Sequence, residues 1–155
     1  MRDPRETIDA FVAAFNRNDL DAVMTFFSDD AVYLPGDGSE HRGLAAIRAA
    51  FRPQFEGAYG RMCFDEHDRL VDLEARKMAI RWVCRHEVGA GASGARAPGK
   101  SRLVQGLARA VLGKRFGWEG LDVFHFDATG RICGKYSYAN YPFPLLRRSL
   151  GRPLT

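Results

Sequence analysis

The sequence predicts an α+β fold in which a curved, mostly antiparallel sheet wraps around N-terminal helices. Three observations carry this. Helical apolar spacing dominates residues 4–55, strand-like alternation dominates 61–88, and residues 118–138 read as two strands joined by a tight turn. At 155 residues, 46% of them apolar and 27% charged, the chain has the length of one domain and an ordinary globular composition. No internal repeat or domain boundary interrupts residues 1–155.

The first helix starts at Asp3-Pro4-Arg5-Glu6: an N-cap carboxylate, a proline at the first helical position, and a glutamate that completes a capping box. Ile8, Phe11, Val12 and Phe15 follow on one face. Asn16-Arg17-Asn18 breaks the pattern, Asp19 caps a second helix, and Leu20, Val23, Met24 and Phe27 form its buried stripe. Ser28-Asp29-Asp30 ends that helix, and Ala31 to Leu34 is a strand stopped by the turn Pro35-Gly36-Asp37-Gly38. The polar segment Ser39 to Gly43 leads into a third helix bearing Leu44, Ile47, Phe51 and Phe55, which Pro53 should kink or fray near its end.

Arg61 to Asp72 and Lys77 to Val88 read as strands around a turn at Glu74-Ala75-Arg76. The second places Met78, Ile80, Trp82, Cys84 and His86 on one face and Arg81, Arg85 and Glu87 on the other, so one side is buried and one is wet. A lone histidine at the rim of an apolar face is more often hydrogen-bonded structure than catalyst. Residues 89–99, rich in Gly and Ala, read as a loop. A fourth helix follows, capped by Ser101 and ended by Gly113, with Leu103, Val104, Leu107, Val111 and Leu112 on its apolar side. Arg102, Gln105 and Arg109 line its other side, flanked by Lys100, Lys114 and Arg115; such a helix either touches an anionic surface or packs on its own domain with its charges solvated.

In the hairpin, Asp127-Ala128-Thr129-Gly130 supplies the turn. Asp122, Phe124 and Phe126 share one face, and Leu121, Val123 and His125 the other. If residues 126 and 131 pair across the turn, Lys135 lies opposite Asp122; a one-residue bulge at Gly130 would spoil that register. A carboxylate flanked by phenylalanines and near a lysine is either a reactive group or a cross-strand ion pair that anchors the hairpin. Beyond it, Pro142-Phe143-Pro144 cannot continue a sheet ladder, and Leu145 to Leu150 forms one last helical turn.

Net charge is +4, unevenly placed: residues 1–30 hold seven acids against three bases, and 96–115 hold six bases and no acid. No stacking platform accompanies these bases, so no nucleic-acid partner is expected. No run approaches ~18 apolar residues, and the charged start lacks an apolar segment behind it, which points to a soluble cytoplasmic protein without membrane contact. Cys63, Cys84 and Cys133 fall inside strands at no metal-ligand spacing and read as reduced core residues. His41, His67, His86 and His125 form no ligand pair, and no phosphate loop or dinucleotide fingerprint is present, so neither metal nor cofactor is expected.

The run from Phe11 to Val32 resembles the opening of the nuclear transport factor 2-like superfamily, whose relatives include ketosteroid isomerases and SnoaL-like polyketide cyclases. His41-Arg42-Gly43 with Ala46-Ile47 is similar to that superfamily's link into its third helix, and Leu121 to Ile132 to its penultimate hairpin. The resemblance covers residues 5–88 and 117–141; it implies a cone-shaped α+β barrel, a homodimer formed through the outer sheet face, and an insertion at 89–116, for which we expect a place over the pocket mouth or at a subunit contact.

Isomerase chemistry in this family requires a general base and two donors for the enolate oxygen. By the resemblance, the first donor position falls on Phe11, which has no hydroxyl, and the base on Pro35, which accepts no proton; only the second donor position is kept, as Asp122. A facing Lys135 would push Asp122 toward its charged form, the wrong state for a donor. Asp37, two residues past the lost base, sits in a Gly-flanked turn and is a weak substitute. The steroid-isomerase mechanism is therefore not expected.

What remains is an apolar pocket lined by Phe11, Phe15, Tyr33, Trp82, Phe124 and Trp118, with Asp122, Lys135, Tyr138 and His41 as its polar groups. Two functions fit. One is a SnoaL-like enzyme for a small hydrophobic carbonyl or polycyclic substrate, with Asp122 as base or acid and His41 or Tyr33 as auxiliary proton carrier. The other is a non-catalytic dimeric module that binds a hydrophobic ligand. A third reading sets the basic helix against an anionic surface.

Overall fold

The computed structural model describes residues 3–88, 106, 107, 109–111 and 113–140. Its order is α1 (Pro4–Asn16), α2 (Leu20–Met24), β1 (Phe27–Leu34), β2 (His41–Arg42), α3 (Gly43–Phe55), β3 (Arg61–Asp72), β4 (Lys77–Glu87), β5 (Arg115–Phe126) and β6 (Ile132–Ala139). The strands form one curved, unclosed sheet of six in the order β2-β1-β6-β5-β4-β3, antiparallel except where β1 runs parallel to β6. Helices α1 and α3 lie against its inner face, as an α+β plan with one buried sheet face requires.

Asp3 caps α1 through its carboxylate, which accepts from the Arg5 amide at 2.8 Å. Phe11 then sits at the centre of an aromatic cluster, 5.7 Å from Phe124, 5.9 Å from Phe27 and 6.0 Å from Phe15 between ring centroids. The stripe expected of the second helix runs past its end: α2 stops at Met24, the Thr25 hydroxyl donates to Ala22 O at 2.7 Å, and Phe27 opens β1. The first strand is therefore longer than Ala31 to Leu34. Pro53 lies inside α3 two residues from its end and does not break it, because Phe55 is still helical.

At the sheet's edge, Asn16 of α1 takes up both backbone groups of Phe64: its amide donates to the carbonyl at 2.9 Å, and its oxygen accepts from the N–H at 2.8 Å. This ties the end of α1 to β3, where an edge strand would otherwise leave ladder groups unpaired. Arg69 adds a second tie, to Asp9 at 2.7 Å and Glu66 at 2.6 Å.

Residues 106, 107 and 109–111 are helical, and Gly113 (φ 85°) follows with its amide on Arg109 O at 3.0 Å. Leu107 and Val111, expected on the apolar side of that helix, are exposed. Lys114 and Arg115 lie 3.9 and 3.4 Å from Glu87, which partners two of the flanking bases. The expected loop at 89–99, most of the fourth helix and the segment from 141 onward fall outside the described residues. Among the described residues, no helix is long and apolar enough to cross a membrane.

Asn16→Ala should cost about 1–2 kcal/mol by removing two hydrogen bonds to one strand residue, measured as a lower urea midpoint together with faster amide exchange at Phe64.

Candidate functional site

Neighbouring strands aim alternate residues into one cavity. Tyr33 comes from β1, Lys135 and Ser137 from β6, Asp122 and Phe124 from β5, and Ile80 and Trp82 from β4. Phe11 and Phe15 of α1, Phe51 of α3 and Phe64 of β3 complete the apolar wall. The cavity measures about 90 Å³, several times the ~10–15 Å³ that one water requires. Its inner residues are buried; exposed Glu66 and half-buried Gln54, Met62 and Trp118 mark its mouth.

The polar groups converge deep in this space. Lys135 Nζ lies 2.7 Å from Asp122 Oδ2, with both side chains more than nine-tenths buried. It also donates to Ser137 Oγ at 2.7 Å and stands 5.1 Å from the Tyr33 ring centroid and 5.5 Å from that of Phe124, within cation–π range. Asp122 Oδ1 is buried with no protein partner, and so is the indole nitrogen Trp82 Nε1. Both residues line the cavity, one contributing an unsatisfied acceptor and the other an unsatisfied donor.

The hairpin register differs from the expected one. Phe126 pairs with Ile132, the register then shifts between His125 and Phe126, and Asp122 stands opposite Ser137 while Lys135 stands opposite Phe124. Lys135 reaches Asp122 along the diagonal, a separation long side chains span. The turn is built by Asp127, whose Oδ1 accepts from Thr129 N at 2.8 Å and Arg131 N at 3.0 Å.

Of the residues proposed from sequence, Phe11, Phe15, Tyr33, Trp82, Trp118, Asp122, Phe124 and Lys135 line the cavity. Tyr138 does not: it pairs with Leu121, alternates to the outer sheet face and is 64% exposed, leaving Ser137 as the inward residue. Nor does His41, which pairs with Tyr33 on the edge strand β2; its ring lies 6.0 Å from the Tyr33 ring and its Nε2 3.1 Å from Ser39 Oγ. Asp37 anchors a turn through the Ser39 amide at 2.8 Å and lies outside the cavity lining. Sequence reasoning missed Ser137, the orphaned indole N–H, and the mouth residues Gln54, Met62 and Glu66. Only the Ser137 position had a sequence signal, through the parity of the hairpin.

Beside the mouth, His86 is held on four sides. It stacks on Phe116 (5.0 Å, 4° between planes) and packs on Trp118 (4.1 Å), with Nδ1 3.1 Å from Tyr59 O and Nε2 3.2 Å from Cys84 Sγ. A carbonyl only accepts, so Nδ1 carries the proton and Nε2 accepts from the Cys84 thiol. Burial holds His86 below the usual histidine range and pushes the Cys84 thiol well up, which makes the pair neutral and structural rather than a nucleophile with its base. Among the described residues, no group of three or more His, Cys, Asp and Glu is placed to hold a metal ion.

Residues 8–134 match the family model described as SnoaL-like domain. No curated protein matches the sequence. Among solved structures, the epoxide hydrolase/cyclase-like enzyme SalBIII, with a role in pyran ring formation in the polyether salinomycin, superposes with TM-score 0.65 at 14% identity over 88% of this chain and 90% of its own. A putative polyketide cyclase from Xanthomonas campestris pv. campestris gives 0.65 at 18% over 88% and 90%. RV0760c from Mycobacterium tuberculosis, in complex with estradiol-17beta-hemisuccinate, gives 0.63 at 17% over 90% and 95%. At these identities the likeness shows the shared fold.

Two outcomes follow from the buried groups. Lys135→Met, which strands a buried carboxylate, should cost about 3–5 kcal/mol, and adding Asp122→Leu should recover most of it; urea denaturation of the single and double variants measures both. For His86, the folded pKa is depressed, so the unfolded chain takes up the proton first as pH falls below ~6.5. Stability should hold above that pH and decline from 6.5 toward 5, with His86→Gln flattening the decline; a urea midpoint constant from pH 7 to 5 in the unaltered protein would contradict it.

Proposed function

This chain belongs to the SnoaL-like domain family, and on that premise we propose that it is a cofactor-free acid–base enzyme for a small, largely apolar substrate, with Asp122 as its proton carrier. The observation that carries the reading is the buried carboxylate in the cavity wall, with one oxygen held by Lys135 and the other without a protein partner. A carboxylate fixed in this way is oriented before substrate arrives, and it keeps one oxygen without a protein partner. Lys135 and Ser137 set its rotamer, and the phenylalanines exclude water. Tyr33, buried in the same wall, is the nearest candidate for an auxiliary proton carrier; His41 could serve only through it.

The chain does not carry the family's steroid-isomerase set. Phe11 and Pro35 both line the cavity, where neither can donate a hydroxyl proton or accept one. Isomerisation, cyclisation and hydrolysis each need one proton placed or removed beside a carbonyl or epoxide, which a single carboxylate supplies. The epoxide hydrolase/cyclase-like character of SalBIII and the polyketide cyclase assignment of the Xanthomonas protein belong to that group of reactions and support the reading.

A second reading, a dimeric module that binds a hydrophobic ligand, is favoured by those same two apolar replacements. The ligand complex of RV0760c and the exposed Leu121 and Tyr138 on the outer sheet face support it. Asp122→Asn separates the two. An enzyme should lose about 10²-fold or more in turnover of small carbonyl or epoxide substrates while still binding them. Turnover unchanged by this substitution would sink the enzymatic role of Asp122.

A further inference from the structure

The end of the sheet where β4 finishes and β5 begins collects positive charge. Arg61, Glu87 and Arg115 pair side by side across β3, β4 and β5, so along this row one acid is flanked by two bases. Lys114 reaches the same carboxylate at 3.9 Å and Arg115 at 3.4 Å, which leaves one negative charge to offset both. Arg61, Arg109, Lys114 and Arg115 are all exposed, and the stretch 96–115 that leads into β5 holds six bases and no acid. Apolar surface adjoins these charges. Leu107 and Val111, one helical turn apart and so on one face, are 69% and 59% exposed. Arg109, two residues from each, falls on the opposite face, as on an amphipathic helix. The Gly113 amide donates to Arg109 O at 3.0 Å, and Val88 N donates to Lys114 O at 3.0 Å, which fixes the end of this helix to the end of β4. Met62, next to Arg61 on β3, and Trp118, beyond Arg115 on β5, belong to the cavity mouth, so the basic and apolar surface borders the entrance.

Exposed aliphatic side chains among bases in excess match a partner that offers negative charge at its surface and hydrocarbon just beneath. We propose that this end of the molecule is a docking surface for an anionic lipid bilayer, with Leu107 and Val111 entering the acyl boundary and Arg61, Lys114 and Arg115 meeting the headgroups. The proposal goes beyond the acid–base reading and does not depend on it. The expectation of no membrane contact rests on the lack of a spanning segment; among the described residues no helix can cross, and an amphipathic helix lying in the interface has no need to. A second copy is a poor occupant, since a two-fold contact sets the same bases against each other. Nucleic acid is a poor one as well, because the exposed apolar side chains beside the bases are aliphatic and offer no stacking face. Entry of two aliphatic side chains into hydrocarbon separates a bilayer from a soluble polyanion. An apolar ligand dissolved in that bilayer would lie beside the cavity entrance.

The test is flotation of the full chain with vesicles of phosphatidylcholine alone or with about 30% phosphatidylserine, at low and at high salt. The protein should float with the phosphatidylserine vesicles at low salt, remain behind with phosphatidylcholine alone, and lose about tenfold in affinity at high salt. Leu107→Ser combined with Val111→Ser should weaken binding by about tenfold, and Lys114→Glu combined with Arg115→Glu by at least as much. All four positions are exposed, and far-UV circular dichroism checks that each variant stays folded. Vesicle binding that the serine pair leaves unchanged marks a purely electrostatic contact, of the kind an acidic macromolecule would make, and overturns the proposal. Self-association in sedimentation velocity that the serine pair abolishes, without vesicle binding, assigns the face to a second copy and also overturns it. So does a failure to bind phosphatidylserine vesicles at low salt; none of these outcomes bears on the role of Asp122.

Discussion

An ammonium and a carboxylate 2.7 Å apart, both out of water, form the contact on which the rest of the site depends. Burying each ion costs several kcal/mol, and their attraction offsets this only where the geometry is good and other lone pairs and protons find partners. Lys135 meets that condition on all sides: Asp122, the Ser137 hydroxyl, and the faces of Tyr33 and Phe124. These groups arrive from three neighbouring strands, β1, β6 and β5, so the parallel pairing of Tyr33 with Lys135 and the antiparallel pairing of Phe124 with Lys135 are both needed to surround one nitrogen. Asp122 is satisfied on one oxygen only. The asymmetry of that pair gives the cavity its chemistry.

The elements and faces of this structure were legible because the signals that set them are local. Asp3 and Asp19 cap the helices expected of them, and Met78, Ile80, Trp82, Cys84 and His86 all turn inward on β4. Register was not legible, and the hairpin shows why the error was harmless. The turn closes on Ile132 instead of residue 131, and Cys133 is then skipped, so two single-residue slips accumulate between Phe126 and Lys135. One slip would have turned Lys135 to solvent; two return it to the inner face. The ion pair was therefore foreseen through a register that does not exist, while Ser137, which shares the face of Lys135 in either register, was legible by parity and overlooked.

The other misplacements have equally specific causes. Tyr138 is one residue from an inward position, and alternation alone sends it outward. Phe27 continues the spacing of the α2 stripe, but its backbone pairs with Ile132 of β6, a long-range partner that no helical periodicity reveals. His41 occupies a two-residue edge strand whose existence depends on pairing with Val32 and Tyr33. The cavity wall is non-local as well, since Asn16 holds Phe64 across the gap between α1 and β3. Long-range pairings of this kind leave no periodic trace in one sequence.

Several departures from the usual rules fall close together. The Asp127 turn is hydrogen-bonded throughout, and the Phe11 cluster packs edge to face as aromatic cores do. Against this background, a buried ion pair, an orphaned acceptor, an orphaned donor and glycines inside a strand all occur along β5 and the strands beside it. Gly117 sits where a Cβ would come 2.9 Å from Cys84 O, and Gly120 sits beneath an indole, so each weakens the strand in exchange for a close approach. A loosely packed core would scatter such features over many positions. Their clustering on β5 and the strands beside it, next to the cavity that Asp122 and Trp82 line, is the pattern of a site kept open at the expense of stability.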